Sequence, residues 1–153
     1  MFKNFTIVLL TCLLITNCGY QKIYNSKDSL YSVSNIDTSG DARSSYLIKN
    51  QILINASDDG KHLINIKLKV DKKKDIKERN ISNKITKYKL TILANIEISN
   101  SNKKINKNFK RTNDYIVGEK HSATILREKT AYKNLTEKVS EDIVTFLNIY
   151  LAK

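Results

Sequence analysis

The chain has 153 residues and a formal net charge of +12 at pH 7, with 2 Cys, no Pro and no Trp. This length allows one domain with one hydrophobic core, and two cysteines exclude a disulfide-rich scaffold. The charge is uneven, because residues 61–111 hold 16 Lys or Arg against 4 Asp or Glu.

The N-terminus has the pattern of an export signal. Lys3 supplies a positive start, and residues 5–15 form an apolar stretch of 11 residues, whereas a membrane-spanning helix needs roughly 20. Cys18 follows in the run LITNCG, which resembles a bacterial lipobox. In signals of that kind the thiol is acylated and the chain is cut before the cysteine.

Cleavage before Cys18 divides the chain into three predicted parts. Residues 1–17 are a lipoprotein signal peptide, residues 18–29 a lipidated tether, and residues 30–153 a single domain. Cys12 leaves with the signal and Cys18 is modified, so that no thiol remains for a disulfide or a metal. The alternative is an ordinary secreted protein with a stray cysteine.

The first elements of the domain are a short strand and a helix. Residues 30–36 alternate weakly, as in a strand. Asp41 or Ser39 is placed to cap a helix that runs from about residue 42 to 55. The apolar side of this helix is predicted to comprise Leu47, Ile48, Ile52 and Ile54.

Three strands are expected next. Residues 62–70 and 87–98 alternate strongly between apolar and polar side chains, which indicates strands with one buried face. Residues 71–84 are polar and charged, and they predict a long loop or a frayed strand end. Residues 103–117 have a looser pattern, for which we expect a strand with a bulge.

From about Glu119 the period changes to that of one amphipathic helix. This helix either packs on its own sheet or forms a coiled coil with a partner. The order predicts an α+β fold, with two helices on one face of a four-stranded, mostly antiparallel sheet and the lysines on the opposite face. The helix has apolar positions at fours and eights: Ala123, Ala131, Leu135, Val139, Ile143, Leu147 and Leu151.

Two basic clusters are the candidate anion-binding site. A localised basic block indicates an anionic partner, and the export signal favours lipid or lipopolysaccharide phosphates over nucleic acid. The excess of 23 Lys over 4 Arg equally fits lysines that accumulate on a tolerant surface through coding drift. The candidate residues are Lys72, Lys73, Lys74, Lys77 and Arg79 in the first cluster, and Lys103, Lys104, Lys107, Lys110 and Arg111 in the second.

No catalytic, metal or cofactor site is predicted. His62 and His121 lie 59 residues apart, there is no His pair at helical spacing, and the glycines are too scattered for a phosphate-binding loop. An enzyme would require one of these histidines to meet a carboxylate in a deep pocket.

The order of these features resembles the lipopolysaccharide-assembly lipoprotein family, LptE. The quoted motifs are CGY at residues 18–20, GDAR at residues 40–43 followed by Leu47, the Tyr88-x-Leu90 start of a long strand, and the helix positions Ala123, Ala131, Val139 and Ile143. The resemblance implies a non-enzymatic protein that plugs the outer-membrane barrel LptD and helps to deliver lipopolysaccharide to the cell surface.

The expected location is the periplasmic side of the outer membrane, where the protein is held by lipid on Cys18. Gly19, rather than Asp, follows the cysteine, which resembles lipoproteins sorted to that membrane. The expected partners are the barrel, lipopolysaccharide and the membrane, without nucleic acid. The alternative function is a lipid-anchored periplasmic carrier or envelope-binding module without a barrel partner.

Overall fold

The computed structural model describes residues 30–100 and 103–152, and the predicted signal peptide, tether and lipidation site Cys18 lie outside these residues. The domain consists of a strand, a helix, three strands and a helix. The bounds are β1 Tyr31–Gly40, α1 Ala42–Ile54, β2 His62–Arg79, β3 Ile85–Ser99, β4 Lys104–Ile116 and α2 His121–Leu151.

The four strands form one sheet in the order β1-β2-β3-β4. β1 and β2 are parallel, whereas β2–β3 and β3–β4 are antiparallel. The parallel pair requires a crossover, which α1 supplies. The predicted α+β fold, with two helices and a mostly antiparallel four-stranded sheet, is confirmed.

Both helices pack on one face of the sheet. Alternate residues of β2 and β3 point toward the helices and are at most 2% exposed. The helix α2 buries a row at the predicted spacing of four residues, although Ala123 at its start is only half-buried. The buried residues are Ile64, Ile66, Leu68 and Val70 of β2, Leu90, Ile92, Ala94, Ile96 and Ile98 of β3, and Ala131, Leu135, Val139, Ile143, Leu147 and Leu151 of α2.

The helix α1 begins where the sequence predicts. The carboxylate of Asp41 accepts a hydrogen bond from the amide of Ser44 at 2.8 Å, which satisfies one of the unpaired amides of the first turn. The prediction that Leu47 and Ile54 complete the buried side is wrong, since they are 37% and 38% exposed. The buried stripe consists of Ser44, Ser45, Ile48 and Ile52, because small hydroxyl side chains let the helix approach its neighbours closely.

Of the two alternatives for residues 71–84, the long loop is wrong for most of the segment, which is the end of a strand and is paired rather than frayed. β2 continues to Arg79, and its residues pair with β3 from Asp71 opposite Leu93 to Arg79 opposite Ile85. The apolar–polar alternation that predicts a strand is missing here, because lysines replace aliphatic side chains at the alternating positions. The polar turn is confined to residues 80–84, between β2 and β3.

The bulge expected in residues 103–117 is absent from the described part of that segment. β4 pairs with β3 without a register shift from Lys104 to Ile116. Its apolar pattern is loose because Lys107 and Arg111 occupy positions in the same alternating row as Phe109. The register shifts lie instead in the β1–β2 pair and near the end of the β2–β3 pair.

Neither helix of the described residues is long and apolar enough to cross a bilayer.

Candidate anion-binding site

The first basic cluster lies on the outer half of β2, beyond the end of β1. Gly40 at the end of β1 pairs with Val70, so the rest of β2 extends past it toward the hairpin with β3. The two-residue period of the strand continues here. Lys72 and Lys74 therefore point toward the helices, and Lys73 points to the open face of the sheet.

Lys74 is held by side chains of the same chain. Its Nζ lies 2.5 Å from Oε2 of Glu128 and 4.3 Å from the ring centre of Tyr88. Tyr115 stacks on Tyr88, with ring centres 5.4 Å apart, and its hydroxyl donates to Glu128 at 2.7 Å. Burial lowers the pKa of Lys74, and its hydrogen bonds raise this pKa by more, so that the net pKa lies above its usual range. The ammonium therefore links β2 to α2.

Because of this link, Lys74→Gln should lower the free energy of unfolding by about 1–2 kcal/mol. A hydrogen bond to a charged group contributes about 1.5–3 kcal/mol, and partial exposure of the pair reduces this. Lys73→Gln is the matched control, one residue away on the open face, and should change the free energy by less than about 0.5 kcal/mol. Urea unfolding of the two variants measures the difference.

The pH dependence of the stability difference between wild type and Lys74→Gln tests whether Glu128 is the partner of Lys74. Burial raises the pKa of Glu128, and hydrogen bonds from Lys74 and Tyr115 lower it by more, so that the net pKa lies below its ordinary value of 4.5. Such a carboxylate stabilises the fold above its unfolded pKa, and this stabilisation is lost as the pH falls through the lower folded pKa. The difference between wild type and Lys74→Gln should therefore shrink below pH 4.5. A difference independent of acid pH would rule out Glu128 as the partner.

The rest of the first cluster also has partners within the chain. Nζ of Lys72 lies 3.0 Å from Oδ1 of Asp41 and 4.9 Å from the ring centre of Tyr132. The other three contacts lie farther along the strand: Lys73 with Asp75 at 3.3 Å, Lys77 with Asp114, and Arg79 donating to the carbonyl of Asn83 at 2.8 Å.

The second cluster is partly paired. Arg111 makes two hydrogen bonds of 2.6 Å to the carboxylate of Asp142 on α2, and these hold the pKa of Asp142 below its usual range. Lys104 lies 2.9 Å from Glu97, and Lys107 lies 5.8 Å from the ring centre of Phe146. Lys103 and Lys110 are exposed, and their ammonium groups have no carboxylate partner among residues 30–100 and 103–152.

The prediction that the lysines lie on the face opposite the helices is wrong for part of both clusters. Four of the ten side chains, Lys72, Lys74, Lys107 and Arg111, belong to the rows that face the helices. The two-residue alternation continues beyond the aliphatic core, so the charged side chains at the helix-facing positions contact α2 or the start of α1. Anion binding by the ten residues stays a prediction, and Lys72 and Lys74 also have structural contacts.

The open face of the sheet carries a groove of about 370 Å³, and most of the residues that line it, from all four strands, are of polar or charged types. Its basic residues, Lys67 and Lys69, are balanced by Asp37 and Glu97. Glu97 itself lies 3.8 Å from Lys67 and 2.9 Å from Lys104. With its charges balanced, this groove suits a hydrated polar partner better than an isolated anion.

A more cationic surface lies between the helices. One cleft between α1 and α2 is lined by four basic residues, Arg43, Lys72, Lys129 and Lys133. Of these four, only Lys72 belongs to the basic clusters predicted from the sequence. Lys129 and Lys133 are four residues apart on a predicted helix, and this spacing puts them on one helix face. That signal was available from the sequence, but the position of Arg43 beside them depends on the tertiary fold.

No three His, Cys, Asp or Glu side chains among residues 30–100 and 103–152 form a group that could hold a metal ion. His62 begins β2 and His121 begins α2, at opposite ends of the sheet.

Comparison with known proteins identifies the fold of this chain. No protein-family model matches the chain, and no curated protein matches its sequence. Among solved structures, an uncharacterized lipoprotein B from Nitrosomonas europaea matches with a TM-score of 0.60 and 11% identity, over 81% of this chain and 88% of that one.

Two further lipoproteins match in the same way. Rare lipoprotein B from Shewanella oneidensis has a TM-score of 0.52 and 10% identity, with 77% of this chain and 93% of that chain covered. A minor lipoprotein from Acinetobacter baumannii has a TM-score of 0.54 and 10% identity, with 76% and 93% covered. The chain therefore shares the fold of these bacterial lipoproteins.

Proposed function

We propose that this chain is an outer-membrane lipoprotein that plugs and helps to assemble a lipopolysaccharide-export barrel of the LptD kind. In this proposal it is anchored through Cys18, faces the periplasm and binds lipopolysaccharide during insertion into the outer leaflet. It acts by binding and positioning, without enzymatic chemistry.

The observation that carries the proposal is the fold shared with three solved bacterial lipoproteins over more than three quarters of the chain. The sequence independently supplies a lipobox-like cysteine and the ordered motifs that resemble the lipopolysaccharide-assembly lipoproteins. The fold match and the lipobox-like motif favour a lipid-anchored envelope protein, and the ordered motifs favour the barrel partner.

The charged side chains on the open face of the sheet support a partner whose contacting surface is polar and hydrated. The open face alternates basic and acidic side chains, such as the Lys67–Glu97 and Lys73–Asp75 pairs. Paired surface charges remain solvated and lose little when they meet another polar surface. The lumen of a large outer-membrane barrel is polar, so this face is chemically suited to it.

The test is a pull-down of tagged, full-length protein from gently solubilised outer membranes, with identification of the proteins that co-purify. We expect a large outer-membrane barrel in stoichiometric amount. An unrelated tagged outer-membrane lipoprotein, taken through the same solubilisation, is the control for barrels that adhere to any lipoprotein.

Recovery of the protein without a barrel would overturn the plug function. Lipopolysaccharide binding is measured separately at low and high salt, because exposed charge attraction weakens as salt screens it. Lys73 is the residue of the first cluster to reverse in that assay, since reversal of Lys72 or Lys74 would also disturb the contacts with the helices.

A further inference from the structure

The cleft between α1 and α2 gathers cations from three elements. Arg43 comes from the first turn of α1, Lys72 from β2, and Lys129 and Lys133 from successive turns of α2. The cleft has a volume of about 80 Å³, which exceeds the space of two water molecules at about 30 Å³ each. It therefore has room for a small polyatomic group.

The positive charge of the cleft is only partly compensated. Asp41 lies 3.0 Å from Lys72, and Glu137 lies 3.7 Å from Lys133. Within the described parts of the chain, Arg43 and Lys129 have no ion-pair partner. Two carboxylates against four cations leave a net charge of +2, which favours an anion at this position.

The floor of the cleft contains buried hydroxyl groups that are held in place by hydrogen bonds. The hydroxyl oxygens of Ser44 and Thr136, which are 2% and 1% exposed, lie 3.3 Å apart. The Thr136 hydroxyl donates to the carbonyl of Tyr132 at 2.8 Å, and the Tyr132 ring lies beside Lys72. These contacts fix the floor and one wall before any ligand arrives.

We propose that this cleft binds a phosphoryl group. A phosphomonoester carries a charge of about −1.5 to −2 at pH 7 and three strong acceptor oxygens, which match the net charge of the cleft. The Arg43 guanidinium can bond two of these oxygens side by side, and the Lys129 ammonium supplies a point charge opposite. Lys72 and Lys133 add positive charge while they keep their own carboxylates.

This inference rests on the proposed function in one respect, the identity of the envelope molecule that would carry the phosphoryl group. Recognition of phosphate is a property of the chain itself and is measured without a barrel. A lipid headgroup and a free phosphate share the chemistry, so both are used as probes.

The experiment is a titration of full-length protein in a non-ionic detergent, followed by backbone amide NMR shifts. The probes are inorganic phosphate at constant ionic strength and water-soluble dihexanoyl phosphatidic acid, with dihexanoyl phosphatidylcholine as the comparison lipid. We expect saturable shifts at the start of α1 and around Lys129–Thr136 of α2.

The cleft variant is Arg43→Gln/Lys129→Gln, whose side chains make no ion pair that the fold would lose. It should weaken phosphate binding by at least about tenfold, which corresponds to about 1.4 kcal/mol. The control is Lys84→Gln/Lys89→Gln, which removes the same charge from the β2–β3 turn and the open face of the sheet. It should weaken binding by less than about twofold, because these residues are screened from the cleft.

The possible outcomes distinguish phosphoryl binding at this cleft from diffuse electrostatic attraction to the whole basic surface. Saturable binding of phosphate alone supports a soluble phosphoryl ligand, and binding of phosphatidic acid alone supports a lipid headgroup. An equal loss in both double variants, or shifts spread over the sheet, would overturn the site in favour of diffuse charge. Absence of binding to both phosphoryl probes would also overturn it, whatever the barrel pull-down gives.

Discussion

Cys18→Ser is expected to abolish incorporation of labelled palmitate and to remove the protein from the outer-membrane fraction. Serine lacks the thiol that is acylated in a lipobox, so the chain should persist as a precursor that retains residues 1–17. Each buried methylene of an acyl chain contributes about 0.8 kcal/mol, and one chain alone holds a protein only marginally. Loss of all acyl chains should therefore eliminate anchoring, and the barrel should no longer co-purify.

The chain contains its own control for this experiment. Cys12→Ser alters the other cysteine, which lies within the apolar stretch of the signal, and should leave both labelling and outer-membrane location intact. Palmitate incorporation and membrane fractionation of the two variants give the comparison. If Cys18→Ser were still labelled and still recovered in the outer membrane, the lipoprotein assignment would be wrong.

The fold could be predicted from sequence wherever an aliphatic side chain marked the period. The alternation of Ile64 to Val70 and of Leu90 to Ile98 located the two central strands, and the spacing of Ala131 to Leu151 located α2. Between residues 71 and 79 the two-residue alternation of the strand continues with lysines in place of aliphatic side chains. A prediction based on hydrophobicity assigns such a polar segment to a loop. A lysine can bury its methylene stem and present its ammonium to a partner, and Lys74 does this beneath α2.

The candidate sites were less predictable, because their partners are distant in sequence. Lys74 and Glu128 are 54 residues apart, and nothing local to either residue indicates the contact. Arg43 and Lys129 lie on two helices whose side-by-side packing depends on the parallel β1–β2 pair. Composition identified an excess of positive charge, but the sheet register determines which cations are paired and which face the cleft.

The position of that cleft depends on Gly40, and Gly40→Ala should be one of the most destabilising small substitutions in the domain. Gly40 has φ +86°, which L-residues rarely adopt, and an added Cβ would lie 2.1 Å from the carbonyl oxygen of Val70. The amide of Asp41 donates to that same oxygen at 2.7 Å, so the backbone cannot retreat without losing the bond. Backbone strain of this kind contributes about 1–3 kcal/mol, before any steric overlap.

We therefore expect Gly40→Ala to lower the free energy of unfolding by at least about 2 kcal/mol and the midpoint of thermal unfolding by roughly 8 °C. Gly118→Ala is the control, since no strained φ is involved and its Cβ would lie 2.9 Å from Cβ of Ala123 and 3.3 Å from the backbone nitrogen of Thr124, a smaller overlap than at Gly40. Urea and thermal unfolding of the two variants measure the difference.

Arg43 lies three residues after Gly40, so a shift at this turn should also weaken phosphate binding at temperatures where the variant remains folded. Equal stability of the two glycine variants would contradict the close approach of Gly40 to Val70. A stable Gly40→Ala protein with unchanged phosphate affinity would further show that this turn does not set the position of Arg43. Loss of both properties together would link the start of α1 to the cleft between the helices.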